Sequence, residues 1–176
     1  MLTKKILSLV FLFCTAAPIL HAQDGEKESN LKAAFIYSFT KYIDWGNYNN
    51  NDAFVIGVLG DNTPIISPLR EIAERNTINY KRIEIKIIQG LPEEKDCNIV
   101  FISKECRFPL SDVLAYAGRG VLTISEENGY ASMGTDFNFV IINDKLKFEA
   151  NLNALASSGL KAGSQLLKLA IIVSGS

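Results

Sequence analysis

From Leu31 the apolar residues Leu31, Ala34, Phe35, Phe39, Tyr42 and Ile43 recur every three or four positions, which predicts a helix with one buried face. Trp45-Gly46 and the asparagine cluster 47–51 end it. Residues 54–59 are uninterruptedly apolar and close on Gly60-Asp61-Asn62, the pattern of a buried strand and a turn. A helix starting near Pro64 or Pro68 reaches Arg75. Residues 81–88 then alternate, with Ile83, Ile85 and Ile87 against Arg82, Glu84 and Lys86, so this strand is half covered and lies at or near a sheet edge. Buried strands follow at 98–102 and 121–124, with a helix at 110–117 between them. Strands 137–142 and 146–150 join across Asn143-Asp144-Lys145 as a hairpin. A short helix over 151–157 breaks at Gly159, and a last helix runs from Ser164, its expected N-cap, to Val173. That last helix is apolar on most sides, which suits core packing better than a dimer seam. Strands alternating with helices predict an α/β fold, with a mixed, mostly parallel sheet, helices on both faces, and a C-terminal β-hairpin plus helix.

The N-terminus follows a different pattern. Lys4 and Lys5 precede an apolar run over 6–14 broken only by Ser8, then Thr15-Ala16-Ala17 and Leu20-His21-Ala22 before the polar Gln23. A basic start, a short apolar run and a small residue at a polar boundary describe a secretory signal peptide, residues 1–22, cleaved after Ala22. The run falls short of the ~20 residues that span a bilayer. Lys161 and Lys168 interrupt the other strongly apolar stretch, so no membrane insertion is expected after cleavage. Residues 23–30 read as a flexible leader and 31–176 as one domain, without repeats or linkers.

Cleavage changes the chemistry available. The 176-residue chain has 18 Lys+Arg, 19 Asp+Glu, one histidine and three cysteines. Without residues 1–22 it loses Lys4, Lys5, Cys14 and His21 but no acid, so its formal charge falls from −1 to −3. No imidazole remains for Ser/His or Cys/His catalysis, or for a histidine-held metal or haem. A slightly acidic surface without a basic run also argues against nucleic acid.

The remaining motifs are weak. Gly57-Val58-Leu59-Gly60-Asp61 lacks the third glycine of a dinucleotide loop. Ser38-Phe39-Thr40-Lys41 and Ser158-Gly159-Leu160-Lys161 match the Ser-x-x-Lys pattern of penicillin-binding enzymes, but the companion motifs are absent. Glu93-Glu94 and Glu126-Glu127 read as solvated loop pairs rather than catalytic carboxylates. Cys97 and Cys106 flank a predicted strand and so stand about 17 to 20 Å apart by its rise per residue. A disulfide needs Cα atoms within about 7 Å. Free thiols, with Cys97 largely buried, are the preferred reading beside a bridge between them or an intermolecular one through Cys106.

Several segments together resemble one family. Leu31-Lys32-Ala33-Ala34-Phe35-Ile36-Tyr37-x-Phe39-x-Lys41-Tyr42-Ile43-x-Trp45 is similar to the first helix of the YfiR family of exported proteins. Phe54-Val55-Ile56-Gly57-Val58-Leu59-Gly60, Cys97-Asn98-Ile99-Val100-Phe101-Ile102-Ser103 and Val121-Leu122-Thr123-Ile124-Ser125 resemble its central strands. The strongest match is Phe148-Glu149-x-Asn151, then Ser158-Gly159-Leu160-Lys161 and Ser164-x-Leu166-Leu167-Lys168-Leu169-Ala170. The resemblance implies a Rossmann-like fold, no enzymatic activity and no cofactor. It also implies a periplasmic regulator that tends to dimerise and restrains a membrane-bound diguanylate cyclase, linking envelope or redox stress to cyclic-di-GMP signalling and biofilm. Other relatives accompany sensor kinases. Some members carry a cysteine where this chain has Gly57, able to bridge the residue matching Cys97; its absence here removes that partner.

These readings give three functional expectations. A regulator acting by contact would use Tyr37, Lys41 and Trp45 toward its membrane signalling partner, with core packing an equal reading for Trp45 and the preferred one for Phe35 and Phe39. A periplasmic small-ligand domain would use the crevice at the strand C-termini, near Gly60, Asp61, Ser103 and Ser125. A histidine-free enzyme would need Ser38 or Ser158 within reach of a half-buried lysine. Cys97 and Cys106 are the candidate redox residues, and no metal or catalytic residue is assigned.

Overall fold

A computed structural model of the chain describes residues 18–46, 52–91 and 96–175. The basic start and apolar run of the expected export signal, with Cys14, lie outside the described residues, as do the asparagine cluster and Glu93-Glu94. In chain order the elements are α1 (Pro18–Phe39), β1 (Ile43–Asp44), β2 (Ala53–Leu59), α2 (Ile66–Arg75), β3 (Thr77–Ile78), β4 (Lys81–Ile88) and β5 (Ile99–Ile102). There follow α3 (Leu110–Ala117), β6 (Leu122–Ser125), β7 (Phe137–Ile142), β8 (Lys145–Asn151), α4 (Leu152–Ser157), β9 (Lys161–Ala162), α5 (Ser164–Leu167) and β10 (Ile171–Val173). No described helix is long and apolar enough to cross a membrane.

The main sheet has the order β10-β8-β7-β6-β5-β2-β4-β3. From β4 to β7 neighbouring strands run parallel, while the β7–β8 and β3–β4 pairs are antiparallel. This is the Rossmann-like α/β architecture expected. β2, β5 and β6 are buried along their whole length because helices cover both faces, which is why they read as unbroken apolar runs. Along β2 the side chains alternate: Phe54, Ile56 and Val58 enter the core under α1 and α2, while Ala53, Val55 and Leu59 enter the smaller core under α3. The α1 side is aromatic, with the Phe39 ring 4.9 Å from that of Phe137 and 4.8 Å from that of Phe148. β4 lies one strand from the edge, beside the two-residue β3.

Both hairpins are two-residue loops with left-handed backbone. Asn143 and Asp144 (φ 50° and 57°) join β7 to β8, and Asn79 and Tyr80 (φ 51° and 63°) join β3 to β4. The Asn-Asp pair suits such a loop, whereas Tyr80 sits where glycine costs least.

Several expectations need correction. Residues 23–30 are not a loose leader, since α1 continues through them and buries Ser29. The buried face of α1 is also rotated: Lys32, Ala33, Ile36 and Phe39 point inward while Leu31 and Ala34 are exposed, and the helix ends at Phe39, so that Tyr42 falls in the turn after it and Ile43 in β1. Residues 31–39 are apolar around most of the helix, so periodicity alone does not select the face. The last helix is a single turn, with Gly163 rather than Ser164 at its N-cap. The β-branched Ile171-Ile172-Val173 instead pairs in parallel with β8 as an edge strand.

Candidate functional site

The strand C-termini, where an α/β sheet usually receives a ligand, are filled by their own side chains. Ser103 is buried and its hydroxyl donates to the Leu59 carbonyl at 2.7 Å. Gly60 has φ 127°, and a Cβ there would stand 2.0 Å from Ser103 Oγ. Its glycine therefore answers a close approach of two strands, not a phosphate. Ser125 is buried too, donating to Asn138 Oδ1 at 2.7 Å and lying 3.0 Å from the Thr135 hydroxyl. Asn138 in turn donates to Glu149 at 3.0 Å. Of the four crevice residues only Asp61 is exposed.

The three expected contact residues separate as well. Trp45 is 4% exposed, meets Phe54 edge-on at 5.3 Å and donates through Nε1 to the Asn98 carbonyl at 3.5 Å, so it is core. Tyr37, in the last turn of α1, and Lys41, in the turn that follows the helix, form a surface pair with the ammonium 4.7 Å from the ring centroid. Ser38 is partly buried and Ser158 donates to Asp136, while Lys41 and Lys161 are exposed. Neither serine is drawn to a half-buried lysine.

An open surface lies instead where the N-terminal half of α1 passes the β7–β8 hairpin. A cleft of about 480 Å³ is lined by Lys27, Glu28, Leu31, Ile141, Asp144 and Leu146. A second, of about 230 Å³, shares Glu28, Ile141 and Leu146 and reaches Lys32, Lys104, Glu126 and Phe139. Together they form one groove with apolar walls and an ionic floor. Ile141 is 52% exposed and Leu31 46%. The floor is Lys32, a buried lysine that pairs with Glu126 and, at 2.5 Å, with Glu28 one turn earlier. The Lys104 backbone N–H donates to the other Glu126 oxygen at 3.1 Å. Burial alone would lower the Lys32 pKa, but hydrogen bonds to Glu126 and Glu28 outweigh it and hold the ammonium above its ordinary value. Sequence reasoning missed this site. The Glu28–Lys32 spacing was a visible signal, whereas Glu126, 94 positions away, was not.

Cys97 and Cys106 are both free. Cys97 is buried, 3.9 Å from the Tyr116 hydroxyl, and burial pushes its pKa up to about 11. Burial raises the half-buried Cys106 as well, which favours the protonated thiol. A Cβ at position 57 would stand 2.7 Å from Cys97 Sγ, so residue 57 and this thiol are neighbours across β2 and β5. Among the described residues no three His, Cys, Asp or Glu side chains cluster to hold a metal ion.

The model of the YfiR/HmsC-like family matches residues 29–171. The chain belongs to the YfiR/HmsC-like family. The segment that most resembles this family now has a structural explanation. Phe148 fills the aromatic core and Glu149 receives the Asn138 amide. Asn151 caps α4 through Oδ1, accepting from the N–H groups of Asn153 and Ala154 at 3.0 Å each, and donates through Nδ2 to the Ala131 carbonyl at 2.7 Å. Ser158 donates to Asp136 at 3.0 Å, Gly159 takes φ 73°, and Leu160 is buried. In this YfiR/HmsC-like chain the motif therefore builds the β8–α4–β9 corner.

Proposed function

We propose that this YfiR/HmsC-like protein is exported to the periplasm on a cleaved N-terminal signal and works there by contact. It binds the exported domain of a membrane-bound signalling protein, of diguanylate cyclase or sensor kinase type, and restrains it until a signal releases it. For a cyclase partner, release would raise cyclic-di-GMP and promote biofilm. Such restraint requires only tighter binding to the partner's inactive state than to its active one.

The observation that carries this reading is the contrast between a filled crevice and an open, largely apolar groove beside Leu31 and Ile141. A surface of that kind, rimmed by Lys27 and Asp144, suits a protein partner. Tyr37 and Lys41 extend the candidate contact to the C-terminal end of α1 and the turn after it. The test is capture from native membranes, comparing the exported protein with its Ile141→Glu variant in reducing and oxidising buffer. Recovery of one signalling protein by the parent and not by the variant is expected. Recovery of no signalling protein by the parent in either buffer overturns the reading. The homodimer implied by the resemblance is tested separately, by light scattering of the same sample.

A further inference from the structure

We propose that the corner where β6, β7, β8 and α4 meet is a pH-operated clasp, in which protonation of Asp136 reverses the hydrogen bond that ties it to Ser158 at the end of α4. Asp136 is fully buried. One carboxylate oxygen accepts the Thr123 backbone N–H and the Thr123 hydroxyl, both at 2.7 Å. The other accepts the Ser158 hydroxyl at 3.0 Å. The Asp136 backbone joins the same knot, its N–H donating to Thr123 Oγ1 at 2.9 Å and its carbonyl accepting from Asn151 N–H at 2.9 Å.

Every donor to this carboxylate is neutral, so burial of the charge is not repaid by a cation. Burial pushes the Asp136 carboxyl up to about 6, although the Thr123 and Ser158 hydrogen bonds pull the other way. No charged neighbour among the described residues contributes to that rise, although Arg119 lines the cleft beside Thr123 and Ser158. Arg119 donates to the Ser157 carbonyl at 3.3 Å, and Glu149 is held by Asn138. Lys145 and Lys147 are exposed, and α4 carries no titratable side chain. On α3, Asp112 is exposed and bonded to Ser111, while Tyr116 faces Cys97.

Protons reach the site through a cleft of about 370 Å³ lined by both side chains that bond the carboxylate, Thr123 and Ser158. On protonation the proton belongs on the oxygen facing Ser158, because the other already takes two donors. Ser158 Oγ then accepts, and its own hydrogen turns toward the cleft. Ser158 lies three residues before β9, whose pairing with β1 fixes the chain just after α1. The clasp therefore links external pH to the helix that lines the groove. Its bearing on restraint rests on the proposed function, whereas the titration itself does not.

The test is an NMR pH titration, from 7.5 to 4.5, of the Thr123, Asn151 and Ser158 amides in the exported protein and its Asp136→Asn and Ser158→Ala variants. The side-chain amide of the Asp136→Asn variant would reproduce the protonated arrangement by donating to Ser158. A single transition near pH 6 is expected in the parent, lost in Asp136→Asn and moved to higher pH in Ser158→Ala, where the charge has lost a donor. No transition in the parent, or one that persists in Asp136→Asn, overturns the proposal. Should Asp136→Asn fail to fold, the Asp136 carboxyl carbon in the parent and in Ser158→Ala decides: no carboxyl transition between pH 5 and 7, or an identical midpoint in both, overturns it.

Discussion

The strand C-termini and the α1–hairpin groove both satisfy their buried polar groups internally, yet only the groove keeps an uncovered apolar rim. At the strand ends the hydroxyls of Ser103 and Ser125 are consumed by internal hydrogen bonds, and Gly60 lets the strands close. At the groove a lysine and two glutamates satisfy one another below an apolar rim that no described residue covers. Polar residues at the usual ligand position of an α/β sheet therefore do not by themselves make a binding site. What separates the two regions is the exposed apolar rim of Leu31 and Ile141, since in both the polar groups find internal partners.

That contrast can be broken by substitution. The largest effect is expected at Gly60→Ala, where a Cβ meets Ser103 Oγ on a left-handed backbone. A loss of about 2 to 3 kcal/mol is expected by thermal unfolding. An unchanged unfolding midpoint would mean that the crevice has room after all. Ser125→Ala leaves the Asn138 carbonyl and the Thr135 hydroxyl short of a partner in the core, and about 1 to 3 kcal/mol should be lost. Lys32→Met removes the cation between Glu28 and Glu126, at an expected cost of about 2 kcal/mol that shrinks when Glu126→Gln is added. Ile141→Glu and Leu31→Glu should move stability by no more than about 0.5 kcal/mol, because both sites are exposed. Either should nevertheless weaken capture of the membrane partner at least tenfold, or about 1.4 kcal/mol. Full capture by both variants would remove the groove from the contact surface.

Some of this was legible in the sequence, for physical reasons tied to particular segments. β2, β5 and β6 declared themselves because burial on both faces demands continuous apolar character. α3 was readable from 110 to 117 because Pro109 precedes it and Gly118, at φ 56°, ends it. The Asn143-Asp144 turn carried its own backbone signal. The face of α1 was not legible, since its choice depends on Glu126 receiving Lys32 and on phenylalanines that come much later in the chain. β10 read as helix because a run of Ile and Val after Ala170 satisfies either period until β8 supplies an edge to pair with. Trp45 stayed open between contact and core for a related reason: its ring finds Phe54 and the Asn98 carbonyl only after β2 and β5 are assembled. The candidate site was therefore the less readable part. It is made of long-range pairings, whereas the strands are made of local composition.

The packing of α1 on β7 and β8 also orders events in time. Phe39 comes early in the chain, yet the rings it rests on, Phe137 and Phe148, come nearly a hundred positions later or more. If the chain is exported N-terminus first, as proposed above, its earliest helix is among the last elements to find its seat. Loop closure of that length must precede the aromatic contacts that reward it, so this core cannot close around a half-delivered chain. During such an export Phe35 and Phe39 would stay uncovered until β7 and β8 arrive.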